Sequence, residues 1–179
     1  MKKLISLILV ITLLVGILPL DAFAAEDTFT LPQEEYDRAL RKAGMENGEW
    51  HEGMSWSDSM TAYQKYCWLS DFRDSTVKPA RRRYSMALEQ ADANPALKTE
   101  TEAYSLSGIK PVLHLLENKL NYFIYDLETA VNTISNAKVV ISDPDASVSE
   151  KAAAYRRVRD ASARITNLSN ELKQIYLGI

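Results

Sequence analysis

One cysteine, two histidines and six glycines are all that this 179-residue chain holds of the residue types on which much small-domain chemistry depends. Cys67 alone cannot close an internal disulfide, so stability has to come from packing. With only His51 and His114 there is no clustered-histidine metal site. His51-Glu52 has no second histidine four residues on, and no Glu-x-x-His pair of the carboxylate-bridged bundles occurs. No Cys-x-x-Cys-His is present, so haem would have no covalent attachment. Asp143, Asp145 and Ser147 begin like a calcium loop. Val148 then stands where the loop requires glycine, and Ala154 where it requires a bidentate glutamate.

Scarce glycine and the lack of any alternating apolar pattern exclude a sheet. They also remove the strand-turn-helix elbow and oxyanion loop that Ser55, Ser57 or Ser59 would need for nucleophilic catalysis. Neither an enzyme nor a bound cofactor is expected. The formal net charge of −3 gives no footing for general nucleic-acid binding.

What is present begins with a leader. Lys2 and Lys3 precede an apolar block from Leu4 to Leu18, Pro19 breaks it, and Ala22-Phe23-Ala24 supplies small residues at the positions a signal peptidase reads. The apolar block is short for a membrane span. Residues 1–24 are therefore expected to be a cleaved signal peptide and 25–179 a single secreted domain with no stable membrane anchor. Losing two lysines and one aspartate with the leader makes the mature chain one unit more acidic.

The remaining residues read as helices. Thr30 with Gln33 makes a capping-box signature around Pro32, Tyr36, Ala39, Leu40 and Ala43 form an apolar face, and Gly44 is placed to stop a short first helix. Residues 45–57 hold Gly48, Gly53, Trp50 and Trp56 and read as a loop. Ser55 or Ser57 can cap a second helix over 58–94, kinked at Pro79. Residues 95–107 are ambiguous between helix and loop.

The longest apolar stripe then runs through Ile109, Leu113, Leu116, Leu120, Phe123, Leu127, Ala130, Ile134, Ala137 and Ile141, at spacings of four and three. Such a heptad seam needs a partner. Gly108 and Pro111 mark its predicted start, and Tyr122-Phe123-Ile124-Tyr125, apolar on every side, predicts a surrounded central helix. After the turn at 142–146, Ser147 with Glu150 forms a second capping box. Ala154, Val158, Ala161, Ile165, Leu168, Leu172, Ile175 and Ile179 make a second seam, and the short turn brings it back antiparallel onto the first. The predicted fold is all-α, an elongated antiparallel bundle of three long helices plus a short N-terminal one. Such seams pair between chains as readily as within one, so a homo-oligomer is compatible with the pattern.

The candidate partner-binding residues are Trp50 and Trp56 on the loop and the run Arg81, Arg82 and Arg83 beyond the kink. Arg156, Arg157, Arg159 and Arg164 form a second basic set, for which Asp160 offers intrahelical pairing. Met60, Tyr63 and Cys67 share a helical face, which predicts a buried thiol. The expected function is that of a secreted, non-enzymatic bundle acting by protein interaction at or outside the cell surface. Its partner would be a protein or an anionic component of the envelope. The alternatives are a small-molecule or haem carrier with a tyrosine-lined pocket between helices, and membrane disruption by an opened amphipathic hairpin.

Overall fold

The computed structural model describes residues 28–46, 48–93 and 100–177, with side chains described outside 100–107 and 176–177. The leader, its cleavage point after Ala24, residues 25–27 and the seam position Ile179 lie outside that set. The described residues are all helix, turn and loop, and the fold is all-α.

Helix α1 (Gln33–Ala43) buries Tyr36, Ala39, Leu40 and Ala43, the face that periodicity marks. Its start departs from expectation: Thr30 does not cap it, Pro32 occupies the N-cap without a side-chain hydrogen bond, and the carbonyl of Pro32 accepts from Glu35 and Tyr36. Its end is as expected. Gly44 adopts φ 94°, and the amides of Gly44 and Met45 close back on the carbonyl of Leu40.

Helix α2 (Ala62–Phe72) starts later than serine capping at 55 or 57 would place it. Thr61 and Gln64 form a reciprocal capping box, the Gln64 amide donating to Thr61 Oγ1 at 3.3 Å and the Thr61 amide to Gln64 Oε1 at 3.0 Å. Ser57 and Ser59 bond each other in the preceding loop instead. From α2 the backbone passes through a π-helical turn, Arg73–Val77, directly into α3 (Lys78–Ala93). One continuous helical run thus crosses Pro79, as its unbroken register predicts. The wider turn, closed by the Lys78 amide on the carbonyl of Arg73, sits where the proline ring would clash with the carbonyl four residues back.

Helix α4 (Glu100–Ser142) is longer than the sequence suggests, about 64 Å at 1.5 Å per residue. Pro111 lies inside it instead of in its first turn, so the helix forgoes one backbone hydrogen bond there. The turn after it holds an Asx bond from the Asp145 amide to Asp143 Oδ1. Helix α5 (Val148–Leu177) then begins on the predicted box: Ser147 donates its amide to Glu150 Oε2 at 2.8 Å and accepts the Glu150 amide at 3.2 Å. These bonds hold the Glu150 carboxyl below its usual pKa.

Helix α4 is the common partner. It packs along α5, against α2 and α3, and against α1, while α1 lies chiefly on α5. The two seams form the core: Leu120, Phe123, Leu127, Ala130, Ile134 and Ala137 on α4 meet Ala154, Val158, Ala161, Ile165 and Leu168 on α5, all buried. The ends of both stripes are less covered, since Leu116 and Ile175 are exposed. The midpoint of α4 is also not enclosed. Tyr125 is 68 % exposed and Tyr122 is exposed as well, because α4 is central by contact yet keeps one face in water.

Side chains differ from expectation in two further places. The arginines of α5 reach outward along the structure instead of pairing only within their helix. Arg164 pairs across to Asp126 and donates to Tyr122 Oη at 2.8 Å, and the guanidinium groups of Arg156 and Arg159 each lie 5.3 Å from the centre of the Phe29 ring. Phe29 is thereby held on the core, ahead of α1. Cys67 is half-buried, with Tyr63 and Tyr66 as hydrogen-bonding neighbours, and burial pushes its thiol pKa up.

Candidate functional site

The sequence-predicted residues fall into two groups that the fold keeps apart. Trp50 and Trp56 sit in the loop before α2, whereas Arg81, Arg82 and Arg83 lie on α3, beyond α2 and the π turn, about 30 Å of helix away. Trp56 is half-buried on the core and meets Trp68 edge to face, with ring centres 5.2 Å apart; Trp68 in turn stacks on Phe72 at 5.3 Å. Trp50 is also half-buried. The loop is tied to α2 through Gln64 Nε2, which donates to the carbonyl of Glu49 at 3.0 Å. The indole of Trp56 is therefore committed to packing.

Adjacent residues on a helix point about 100° apart, and the three arginines behave accordingly. Arg81 turns toward α4, where Nη1 comes within 2.6 Å of Glu117 Oε2. Glu117 is one of two buried charged residues among those described, the other being Lys65. The approach is off the hydrogen-bonding axis, so Oε2 has no aligned donor and charge alone holds the pair. Nearby, Arg73 donates to Asp74, to Ser70 and to Asn121 Oδ1 of α4. Together with Lys78 it drives the Asp74 carboxyl far below its usual range. This ionic cluster fastens the π turn to α4.

The geometry of Arg81 carries an expected result. Arg81→Met should destabilise the fold by about 1–2 kcal/mol, less than the loss of a fully buried partner because solvent reaches the guanidinium. The double variant Arg81→Met/Glu117→Leu should recover most of that loss. Urea unfolding of the full double-mutant cycle measures both terms.

Arg82 and Arg83 are exposed and form no ion pair among the described residues. They belong to a part of the molecule that sequence reasoning did not single out. Helix α3 has no buried residue, and it packs on α4 and the π turn. Between Gly108 and Lys119 only Glu117 of α4 is buried. Val112 is 63 % exposed, Leu115 62 % and, on α3, Met86 52 %. The two helices thus form an arm beyond the shared core, carrying apolar side chains in water. Over 78–93 and 108–119, Lys78, Arg81, Arg82, Arg83, Lys110 and Lys119 stand against Glu89, Asp92 and Glu117, and Glu100 and Glu102 in the first turn of α4 narrow the difference. The sequence signal for this was Val112 and Leu115 standing beside the seam instead of on it.

Among the described residues no group of histidine, cysteine, aspartate or glutamate is arranged to hold a metal, and no helix is long and apolar enough to cross a membrane. Comparison with known proteins finds no matching family, no similar curated protein and no similar solved structure.

Proposed function

We propose that this chain is a secreted, non-enzymatic helical-bundle module that works by protein interaction at or outside the cell surface, and that the arm of α3 and the first half of α4 makes the contact. The observation that carries this reading is the exposure of Val112, Leu115 and Met86 on two helices that also carry Arg82, Arg83, Lys110 and Lys119 in solvent. Large apolar side chains exposed on two adjoining helices suit an interface core, and neighbouring arginines suit its rim. The exposed arginines Arg82 and Arg83, which form no ion pair among the described residues, favour a partner with an acidic surface around an apolar ridge. A folded scaffold holding the arm at one end explains why the core is confined to the rest of the bundle.

The test is capture by the full mature chain from envelope and culture extracts. Val112→Asp/Leu115→Asp and Arg82→Glu/Arg83→Glu variants are compared at low and physiological salt. A partner retained by the wild type should be lost with the aspartates, and should weaken at least tenfold with the charge reversals, while the circular dichroism melt stays unchanged. Equal capture by all three proteins, or none by the wild type, would remove the reading.

A carrier function draws no comparable support. Three surface recesses formed by described residues have no tyrosine in their lining, and His114 is exposed, accepting from Asn118 at 3.3 Å.

A further inference from the structure

A recess of about 280 Å³ opens where the end of α1, the start of α2 and the C-terminal half of α5 converge. Its walls carry three cations, Arg41, Lys42 and Lys65, and a single carboxylate, Asp58. Asp58 already faces Lys173 at 3.7 Å. Both lysines reach into the recess and end on neutral oxygens of α5: Lys42 Nζ donates to Thr166 Oγ1 at 2.9 Å, and Lys65 Nζ to Ser169 Oγ at 3.2 Å. Thr166 Oγ1 donates its own hydrogen bond to the carbonyl of Ser162 at 3.0 Å, so its hydroxyl is fixed in orientation and serves the recess only as an acceptor.

Lys65 is the anomaly. It is only 7 % exposed, and no carboxylate of the described residues lies within ion-pair distance of it. A buried ammonium with one neutral acceptor leaves two of its three protons without an acceptor among the described residues, and it carries part of the penalty of desolvation. Burial accordingly lowers its pKa, with Asp58 opposing only in part. Packing does not require a lysine at this position, since a methionine would fill the same stem. A ligand bearing negative charge would require it.

We infer that this recess is a binding site for a tetrahedral oxyanion, a phosphate or sulfate group, held by Lys42, Lys65 and Arg41 with the hydroxyl of Ser169 on the α5 wall. Three cations arriving from two helices, with the Ser169 hydroxyl on a third, supply more donors than the two oxygens of a carboxylate can use. The recess lies between the first turn of α2, whose dipole favours an anion, and the last turn of α1, whose dipole opposes one, so the lysines and the arginine carry the field. The site is separate from the arm, and its occupancy does not depend on what the arm binds.

The test combines thermal unfolding and isothermal titration of the full mature chain with inorganic phosphate, glycerol 3-phosphate, sulfate and acetate, each against sodium chloride at matched ionic strength. Phosphate or sulfate should raise the melting temperature beyond the chloride control and acetate should not; the glycerol ester separates a free anion from an esterified group. Lys65→Met should melt roughly 2–4 °C higher than the wild type without ligand and bind at least tenfold more weakly. Lys42→Met should lose affinity as well, and it supplies the same reading if Lys65→Met fails to fold. A response equal to that of chloride, a response from acetate as large as that from phosphate, or retention of the phosphate response in both lysine variants would overturn the assignment.

Discussion

Gly48→Ala should destabilise the protein by about 3 kcal/mol, at the upper end of what overpacking costs, because the added methyl has nowhere to go. A Cβ built on Gly48 would stand 2.2 Å from the carbonyl oxygen of Gly44, 2.6 Å from its Cα and 2.7 Å from its carbonyl carbon. Those are backbone atoms, which cannot rotate aside. Gly44 is itself pinned, since it holds the left-handed conformation that ends α1 and its α face lies against Thr61, the residue that caps α2. Pushing the two glycines apart therefore disturbs the end of one helix and the start of the next. Guanidinium unfolding should show a lower midpoint with an unchanged slope. A variant within 0.5 kcal/mol of wild type, a threshold of about the size seen for neutral surface changes, would mean that the close approach is not required.

Leu127→Ala should cost about 3–4 kcal/mol and lower the melting temperature by roughly 10 °C, through lost transfer energy and the cavity left behind. Leu127 is fully buried where α4 meets α5, alongside Ile134, Ile165 and Leu168. Tyr125, two residues away on the same helix, is 68 % exposed, and Tyr125→Ala should change stability by no more than about 0.5 kcal/mol. The contrast within three consecutive positions tests the seam itself. Equal losses at both sites would mean that another surface covers Tyr125, and losses at neither would dissolve the α4–α5 core. The pair is best measured by equilibrium unfolding under conditions where the two-state assumption has been checked with two probes.

The parts of the fold legible from the residues are those where local chemistry and long-range packing agree. The apolar face of α1, the stop at Gly44, the capping box at Ser147 and Glu150, and the middle of both seams all belong to this class. Helix beginnings are harder to place where several capping residues compete. Ser55, Ser57 and Thr61 all qualify as caps, and only Thr61 has a glutamine three residues on that can answer it. Thr30 has such a glutamine too, at Gln33, yet the chain enters α1 from Pro32 and leaves Thr30 outside. Proline misleads in one place and not in the other, because Pro79 has a widened turn before it while Pro111 is carried within a long helix.

Periodicity also says which residues are apolar and not which face finds a neighbour. Tyr122 and Tyr125 read as enclosed for that reason, and Val112 and Leu115 do not stand out. The candidate surface was legible in part. The arginine run lies on α3, one of the two helices of the proposed surface, but its first member is occupied by Glu117, and the tryptophans line a different region. Lys65 gives no signal at all, since an isolated lysine in a helix ordinarily reaches water.

The π turn at Arg73–Val77 sets the angular phase of the whole of α3. Each residue added to a helix rotates the downstream chain by about 100°, so the one extra residue in that turn acts like a single tooth on a gear. It decides that Arg81, and not its neighbour, is dialled toward Glu117, leaving Arg82 and Arg83 on the outside. Shortening the turn by one residue would advance the dial and hand the inward position to a different arginine, reorienting the outer surface of the arm while the hydrophobic seam between α4 and α5 stayed as it is.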